Sequence, residues 1–325
     1  MGFACTLGCW GPQLDDLLRP GDDGRLPVRV LVLDNRGVGR SSARLRRRAY
    51  STSLMAQDIL ALLKHLRWGP VHVVGHSLGG MIATRLAVLA PERVASLTLV
   101  CATAGGWQSL PCSWRVAKYG LQMLFARTAE DRAKIDLKLH FMRKTLNEVD
   151  RKHGRTRREL LREEYVEGAQ HGGIGQPSTG FRGQLLAVWR HSVSERDART
   201  IVAARIPVLV LHGRHDIVAA PRYGEALARR LEAPCVMLEG AHFLTRERGP
   251  EVCQLLRHII LHGRRLQERP YRYLDRASHE GVCGGLAGVS ELRLAPPVRE
   301  DSESSSATCG DSPTSTIQLI VRRDS

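Results

Sequence analysis

One serine of the sequence stands between two glycines at a spacing that suits nucleophilic catalysis. It is Ser77, in the segment Gly75-His76-Ser77-Leu78-Gly79. A serine on a sharp turn from a strand into a helix needs such glycines, because side chains there would clash with the closely approaching backbone. The helix start and the Leu78 amide could then face the negative charge that develops during attack on a carbonyl. The motif predicts a nucleophile elbow, with His76 as a neutral core contact; a purely structural turn is the alternative.

A serine hydroxyl is a poor nucleophile at neutral pH and needs a base and an orienting acid. Asp216 follows an apolar run later in the chain, and His242 follows another such run 26 residues further on. Taken singly, Asp216 would also suit a helix cap and His242 an ordinary loop. In the chain order serine, aspartate, histidine, the three residues predict a catalytic triad in which His242 transfers the proton and Asp216 orients the imidazole.

The elements that must position these residues are short apolar runs that alternate with helical patterns. The runs are typical of buried parallel strands and cover residues 28–33, 71–74, 97–101, 206–211 and 235–238. Apolar residues at helical spacing predict a helix between the first two runs, over 53–66. The alternation predicts an α/β fold, a mostly parallel sheet flanked by helices. Ser77, Asp216 and His242 each follow a run, so we expect them at the carboxyl edge of the sheet.

Changes in composition divide the chain into four parts. Residues 1–104 and 200–268 carry the predicted strands and are predicted to form the two halves of one core. Residues 105–199 lack strand patterns and predict a helical insertion, with a glycine-rich turn at 171–177 between two groups of helices. Residues 269–325 include a stretch rich in Pro, Ser, Glu and Asp and are predicted to be disordered.

Three further blocks resemble the α/β-hydrolase family, of the serine esterase and lipase-like kind. The loop Asp34-Asn35-Arg36-Gly37-Val38-Gly39-Arg40-Ser41-Ser42, the segment Pro91-Glu92-Arg93-Val94 and the run Ile206-Pro207-Val208-Leu209-Val210 match that family's blocks. The resemblance implies that residues 105–199 form a cap over the active site. It also implies a serine hydrolase, because a serine at position 77 differs from the aspartate nucleophile of the family's epoxide and haloalkane hydrolases.

The resemblance also implies that about three strands precede the point where this sequence begins. Gly2 matches the second residue of a His-Gly motif that ends the third strand, which would make Phe3 the donor of a second oxyanion-hole amide. That strand would lie between the predicted strands at 28–33 and 71–74. Its loss would leave a row of unpaired backbone groups in the sheet. A truncated chain is therefore expected, and a catalytically impaired fragment that acts as a binding module through its basic cap is the alternative function.

The composition and net charge limit the classes of binding partner that are expected. With 43% hydrophobic and 25% charged residues the 325-residue chain is predicted to be globular, and no apolar run approaches a membrane-spanning length. The net charge of +15 would suit an anionic partner. Because most of the basic residues are arginines, and arginine-rich chains often reflect genome composition, no nucleic-acid partner is expected. Weak association with anionic membranes is the alternative, through Arg44, Arg46, Arg47 and Arg48. The lack of a secretory leader and of paired cysteines predicts a cytoplasmic location.

Neither a cofactor nor a metal is expected. The sequence has no Gly-rich dinucleotide motif after a strand and no phosphate-binding loop motif. His212 and His215 beside Asp216 resemble a metal cluster, but rings three residues apart at a strand end should point in different directions. The insertion also contains large apolar side chains that would suit either an acyl pocket or core packing, namely Trp107, Trp114, Met123, Phe125, Phe141 and Met142.

These residues favour a serine hydrolase that cleaves a carboxylic ester, small or lipid-like, through an acyl-enzyme on Ser77. Thioesterase, lactonase, C–C hydrolase and cofactor-free peroxide chemistry use the same triad and remain open at this point.

Overall fold

A six-stranded sheet in the order β1-β8-β2-β3-β6-β7 is the main element of the computed structural model. The strands are Val28–Leu31 (β1), Val71–His76 (β2), Val94–Val100 (β3), Val149–Asp150 (β4), Arg155–Thr156 (β5), Val208–Gly213 (β6), Cys235–Leu238 (β7) and Leu319–Arg323 (β8), of which β4 and β5 form a separate short ribbon. The structure describes residues 1–2, 5, 7–20, 28–39, 41, 49–110, 113–171, 178–268 and 319–323. Because β2, β3, β6 and β7 pair in parallel, the predicted α/β fold with a mostly parallel sheet is confirmed.

The strand between β1 and β2 comes from near the end of the sequence. β8 runs antiparallel to both neighbours, so that Val321 lies opposite Val30 on one side and His72 on the other. At this position the sequence predicted a missing strand and unpaired backbone groups. The expectation of unpaired groups is corrected, because β8 supplies the hydrogen-bond partners at this position. The prediction of disorder is likewise corrected for residues 319–323, while residues 269–318 and 324–325 lie outside the described part of the chain.

Six helices belong to the core: Gly11–Leu17 (α1), Thr52–His65 (α2), Leu78–Leu89 (α3), Pro221–Arg230 (α10), Leu244–Glu247 (α11) and Gly249–Glu268 (α12). α2 matches the predicted helix at 53–66. Its first turn is capped by Ser51, whose hydroxyl accepts from the Leu54 amide, and its apolar residues Met55, Ile59 and Leu63 are buried. Within the described residues, no helix has both the length and the apolar character that a bilayer crossing requires.

In its described residues the insertion contains six α-helices, the β4–β5 ribbon and a short 3-10 helix at Gly106–Ser109. The helices are Trp114–Phe125 (α4), Ala129–His140 (α5), Arg143–Asn147 (α6), Arg157–His171 (α7), Ser178–Arg190 (α8) and Glu195–Ala203 (α9). Its two ends lie side by side, because Ala104 accepts from the Val193 amide at 2.8 Å and Gly106 donates to the His191 carbonyl at 2.6 Å. We call this insertion the cap. The predicted turn covers 171–177; His171 is the last residue of α7, and residues 172–177 lie outside the described part of the chain.

His191 holds the base of the cap against the core. Its ring is buried, and its Nδ1 lies 3.0 Å from the Thr52 hydroxyl of α2. Burial, together with the nearby positive charge of Arg85, lowers the pKa of His191 to about 3. The ring is therefore neutral in the folded protein at pH values where a histidine in the unfolded chain is already charged.

Acid should destabilise the protein partly through this histidine. The pKa of His191 in the folded state lies below the value of about 6.5 in the unfolded state, so its contribution to the free energy of unfolding is lost as pH falls from about 6.5 toward 3. Between about pH 6.5 and pH 5, the free energy of unfolding of His191→Gln is expected to fall by roughly 1.5 kcal/mol less than that of the wild type. Urea denaturation at both pH values measures this difference. The exposed His65→Gln is the control. If the free energy of unfolding of His191→Gln fell on acidification as much as that of the wild type, the assignment of this effect to His191 would be contradicted.

Candidate active site

Ser77 lies on the turn that leaves β2 and enters α3. Its backbone has φ +53° and ψ −118°, a conformation that is strained for a residue with a side chain, and its amide donates to the Val100 carbonyl at 2.8 Å. The two glycines of the motif are sterically required. A Cβ on Gly75 would lie 2.3 Å from the Gly79 carbonyl oxygen, and one on Gly79 would lie 2.6 Å from the Met1 carbonyl oxygen. The turn therefore presents Ser77 at the carboxyl edge of the sheet.

Ser77, His242 and Asp216 form one hydrogen-bonded chain. The Ser77 Oγ lies 3.0 Å from His242 Nε2, and His242 Nδ1 lies 2.7 Å from the Asp216 Oδ2. The histidine and aspartate side chains are buried. Each residue follows a different parallel strand, β2, β6 or β7, so the sheet brings together positions that are far apart in sequence. In this geometry the imidazole can accept the serine proton while the carboxylate faces the other ring nitrogen.

Asp216 is held by four donors. Its Oδ1 accepts from the amides of Val218 and Ala219 at 2.8 and 2.9 Å, and its Oδ2 accepts from His242 and faces His212 Nε2 at 3.3 Å. Burial alone would raise the pKa of this carboxyl. The His242 and His212 rings outweigh burial and hold the pKa of Asp216 well below its usual range. The carboxylate is therefore ionised and fixed in orientation.

His76 and Leu78 flank Ser77 in the chain, and Leu78 and Phe3 are the predicted donors of the oxyanion-hole amides. The His76 ring is buried, its Nε2 lies 2.7 Å from the His242 carbonyl oxygen, and it stacks on Phe243. Burial, followed by the proximity of His242, lowers the pKa of His76 well below the ordinary value, so the ring is neutral and donates to that carbonyl. Leu78 is the first residue of α3, and its amide is one of the N–H groups for which a helix has no internal acceptor. Phe3 lies outside the described residues.

His212 contacts Asp216, although the sequence suggested His212 only as a possible metal ligand. Its buried ring donates from Nε2 to the Ala219 carbonyl at 2.8 Å. His215 lies elsewhere, with its Nε2 3.0 Å from a Glu239 carboxylate oxygen on the surface. The two rings thus point apart, as their spacing predicted.

Two groups of three side chains place potential metal-ligand atoms within 4.8 Å of one another: His76, Cys101 and His242, and Cys101, His212 and Asp216. Cys101 is common to both groups, and burial raises the pKa of its thiol well above the ordinary value, which disfavours the thiolate that a metal needs. Both ring nitrogens of His242 and both carboxylate oxygens of Asp216 already form the hydrogen bonds described above, whereas the Nδ1 atoms of His76 and His212 are buried without a hydrogen-bond partner among the described residues. We assign no metal to either group.

Glu247 connects the loop that carries His242 to the cap, a role that was not predicted from the sequence. Its buried carboxylate accepts from the Ala241 amide on one oxygen and from the Met142 amide on the other, the latter at 2.8 Å. Burial raises the pKa of this carboxyl. A signal was present in the sequence, because Glu247 is an acidic residue between Arg246 and Arg248, five positions after the predicted catalytic histidine.

The end of α5 is the cap element next to His242. The His140 carbonyl accepts from the Phe243 amide at 2.9 Å, and the His140 ring centre lies 5.5 Å from that of His242. Although burial opposes its charge, Asp136 raises the pKa of His140 through a carboxylate oxygen 3.1 Å from Nδ1. The His140 ring, with its raised pKa, therefore lies close to the His242 ring. It carried no recognisable sequence signal.

The apolar cap residues named from the sequence divide into two groups. Phe141 is buried and stacks on Phe243 beside the candidate site, and Met123 and Met142 are half-buried. Trp107, Trp114 and Phe125 instead face solvent, with Trp107 in edge contact with Tyr223. The prediction that these last three residues pack in a core or a pocket is therefore wrong for the described structure.

Comparisons with known proteins agree with this fold. A family model described as "alpha/beta hydrolase fold" matches residues 8–247. A curated relative from Variovorax paradoxus (strain S110), named "Putative carbamate hydrolase RutD", is 41% identical over 99 residues, 30% of this chain and 35% of its own length. The chain thus spans about a third of that relative's length. The enol-lactonase from Burkholderia xenovorans LB400 superposes with a TM-score of 0.58 at 22% identity, over 80% of this chain and 88% of its own. The "Putative non-heme bromoperoxidase BpoC" from Mycobacterium tuberculosis H37Rv gives 0.61 at 24% identity, over 81% and 90%.

Proposed function

The chain belongs to the α/β-hydrolase fold family, and on that premise we propose that it is a serine hydrolase that cleaves a carboxylic ester, small or lipid-like, through an acyl-enzyme. The observation that carries the proposal is the hydrogen-bonded chain from Ser77 through His242 to Asp216. In a strained turn at the edge of a sheet, this arrangement supplies a nucleophile, a base and an orienting carboxylate together.

The reaction would proceed in two halves. Ser77 Oγ attacks the ester carbonyl while His242 Nε2 takes the hydroxyl proton, and the ionised Asp216 stabilises the resulting imidazolium. The Leu78 amide donates to the oxyanion, and Phe3 is the proposed second donor. His242 then returns the proton to the departing alcohol oxygen. Water, activated by His242, hydrolyses the acyl-enzyme and restores Ser77.

Carbamate hydrolysis is the second candidate, because a relative 41% identical over 99 residues bears the name of a carbamate hydrolase. The same three residues would attack a carbamate carbonyl. A carbamate carbonyl is less electrophilic than that of an ester, so the two substrates can be ranked by their rates with one enzyme preparation.

Labelling with a fluorophosphonate probe tests the proposal, because the probe reports an activated serine without knowledge of the substrate. Trypsin should release residues 68–85 as one peptide in which Ser77 is the sole serine. We expect the probe mass on that peptide from the folded chain and not from a urea-denatured sample. We also expect a burst of p-nitrophenol from p-nitrophenyl acetate as the acyl-enzyme forms, and slower turnover of a matched p-nitrophenyl carbamate.

A folded chain that takes up no label would overturn the proposal and favour the alternative of a catalytically impaired binding module. Labelling on another peptide would show that a different serine is the nucleophile. Labelling of Ser77 with faster turnover of the carbamate than of the ester would replace the ester with the carbamate as the substrate class.

A further inference from the structure

One helix of the cap presents a large apolar face to solvent. In α4, Val116, Tyr119 and Met123 recur at helical spacing and are half-buried, and the helix packs against α5. The other side carries four large apolar residues with 57–75% of their surface exposed, namely Trp114, Leu121, Leu124 and Phe125. Contiguous apolar faces of this kind are rare on soluble proteins unless they bind something.

The charged side chains of α4 and of its immediate flanks are all basic, and the first acidic residues that follow are Glu130 and Asp131 in α5. Residues 107–129 contain Arg115, Lys118 and Arg127 and no acidic residue. Lys118 extends over the Trp114 ring, with its Nζ 5.7 Å from the ring centre. An amphipathic helix that combines Trp, Phe and Leu with Lys and Arg is typical of helices that lie in the interface of an anionic bilayer. There the rings enter the headgroup boundary and the basic groups reach the lipid phosphates.

The same charges disfavour a second copy of the chain as the occupant. A symmetric dimer through α4 would bring the face of one protomer against the identical face of the other. Arg115, Lys118 and Arg127 would then oppose their own copies, with no acidic residue of the segment to neutralise them. An anionic lipid surface meets both the apolar and the basic requirement.

We propose that α4 docks the protein on anionic phospholipid bilayers, with Trp114, Leu121, Leu124 and Phe125 inserted in the headgroup boundary and Arg115 and Lys118 on the lipid phosphates. This surface differs from the arginine run at 44–48, which lies outside the described residues. The proposal does not depend on the activity of Ser77. Through α5, which packs on α4 and ends at His140, the docked helix lies one layer of structure away from the His242 loop.

Co-sedimentation of the full chain with vesicles tests the proposal. We expect binding to phosphatidylcholine vesicles that contain phosphatidylserine, much weaker binding to phosphatidylcholine alone, and loss of binding as salt is raised. Trp114→Ser with Phe125→Ser should weaken binding at least about 30-fold, because two large side chains no longer leave water. Arg115→Gln with Lys118→Gln should weaken binding to the anionic vesicles about 25-fold, at about fivefold for each charge.

The matched control is Leu66→Ser with Leu89→Ser, which removes two exposed apolar side chains outside the cap and should leave vesicle binding unchanged. Thermal melts followed by circular dichroism establish that each variant is folded. Failure of the wild-type chain to sediment with anionic vesicles would overturn the proposal, as would an equal loss in the control. Light scattering that shows a dimer converted to monomer by Trp114→Ser with Phe125→Ser would overturn it in favour of an interface between copies.

Discussion

Replacing Ser77 with alanine is expected to lower kcat for the ester substrate by about 10⁶-fold, the scale on which serine hydrolases depend on their nucleophile. The variant lacks the Oγ that lies 3.0 Å from His242 Nε2, so no acyl-enzyme can form. The fold should survive, because alanine keeps the Cβ of serine and meets the same strain at φ +53°. The melting temperature should therefore stay close to that of the wild type while turnover and fluorophosphonate labelling are lost together.

Ser194→Ala is the matched control. The Ser194 hydroxyl accepts from the Asp197 amide in the capping box of α9, away from the hydrogen-bonded chain at Ser77. Its loss should lower the free energy of unfolding by about 1 kcal/mol and leave kcat unchanged. A Ser77→Ala protein that is folded and keeps more than a small fraction of kcat would show that another group carries the chemistry.

The sequence could predict that Ser77, Asp216 and His242 lie together, because the position of each depends on local pattern. The glycines around Ser77 are required by a close backbone approach, and the structure shows a Cβ on Gly75 only 2.3 Å from a carbonyl oxygen. Asp216 and His242 each follow an apolar strand, and strand ends of a parallel sheet share one edge. The five predicted strands were also recognisable from local pattern, because buried parallel strands have continuous apolar sequences.

The features that were missed depend on pairs of residues distant in sequence. β8 pairs with β1 across almost 300 positions of the chain, and nothing in a five-residue segment states which strands it will join. Glu247 contacts Met142, and Phe243 contacts His140, across about 100 residues. The prediction of a core or pocket position is wrong for Trp114 and Phe125 of α4, because an amphipathic pattern does not tell whether its apolar side meets protein or another phase.

Asp216→Asn is expected to lower kcat about 10⁴-fold through the imidazole tautomer rather than through charge alone. Asp216 Oδ1 accepts from the amides of Val218 and Ala219, so the single oxygen of an asparagine must occupy that position. The asparagine NH₂ group then faces His242 Nδ1, which has to act as an acceptor. The imidazole proton moves to Nε2, and the nitrogen that should take the Ser77 proton already carries one.

Steady-state kinetics of Asp216→Asn should show kcat and kcat/KM reduced by similar factors, because the interaction lost is one that acts in the transition state. The rate of fluorophosphonate labelling should fall in parallel, since the same proton transfer activates Ser77 toward the probe. Asp197→Asn makes the same chemical change in another carboxylate with several donors, from Ser194 and Arg85. Asp197→Asn is expected to lower the free energy of unfolding and to leave kcat unchanged. If Asp216→Asn kept the labelling rate and kcat of the wild type, contacts other than Asp216 would orient His242, such as the hydrogen bond from His76 Nε2 to the His242 carbonyl oxygen. Asp216 would then serve only to fix the loop.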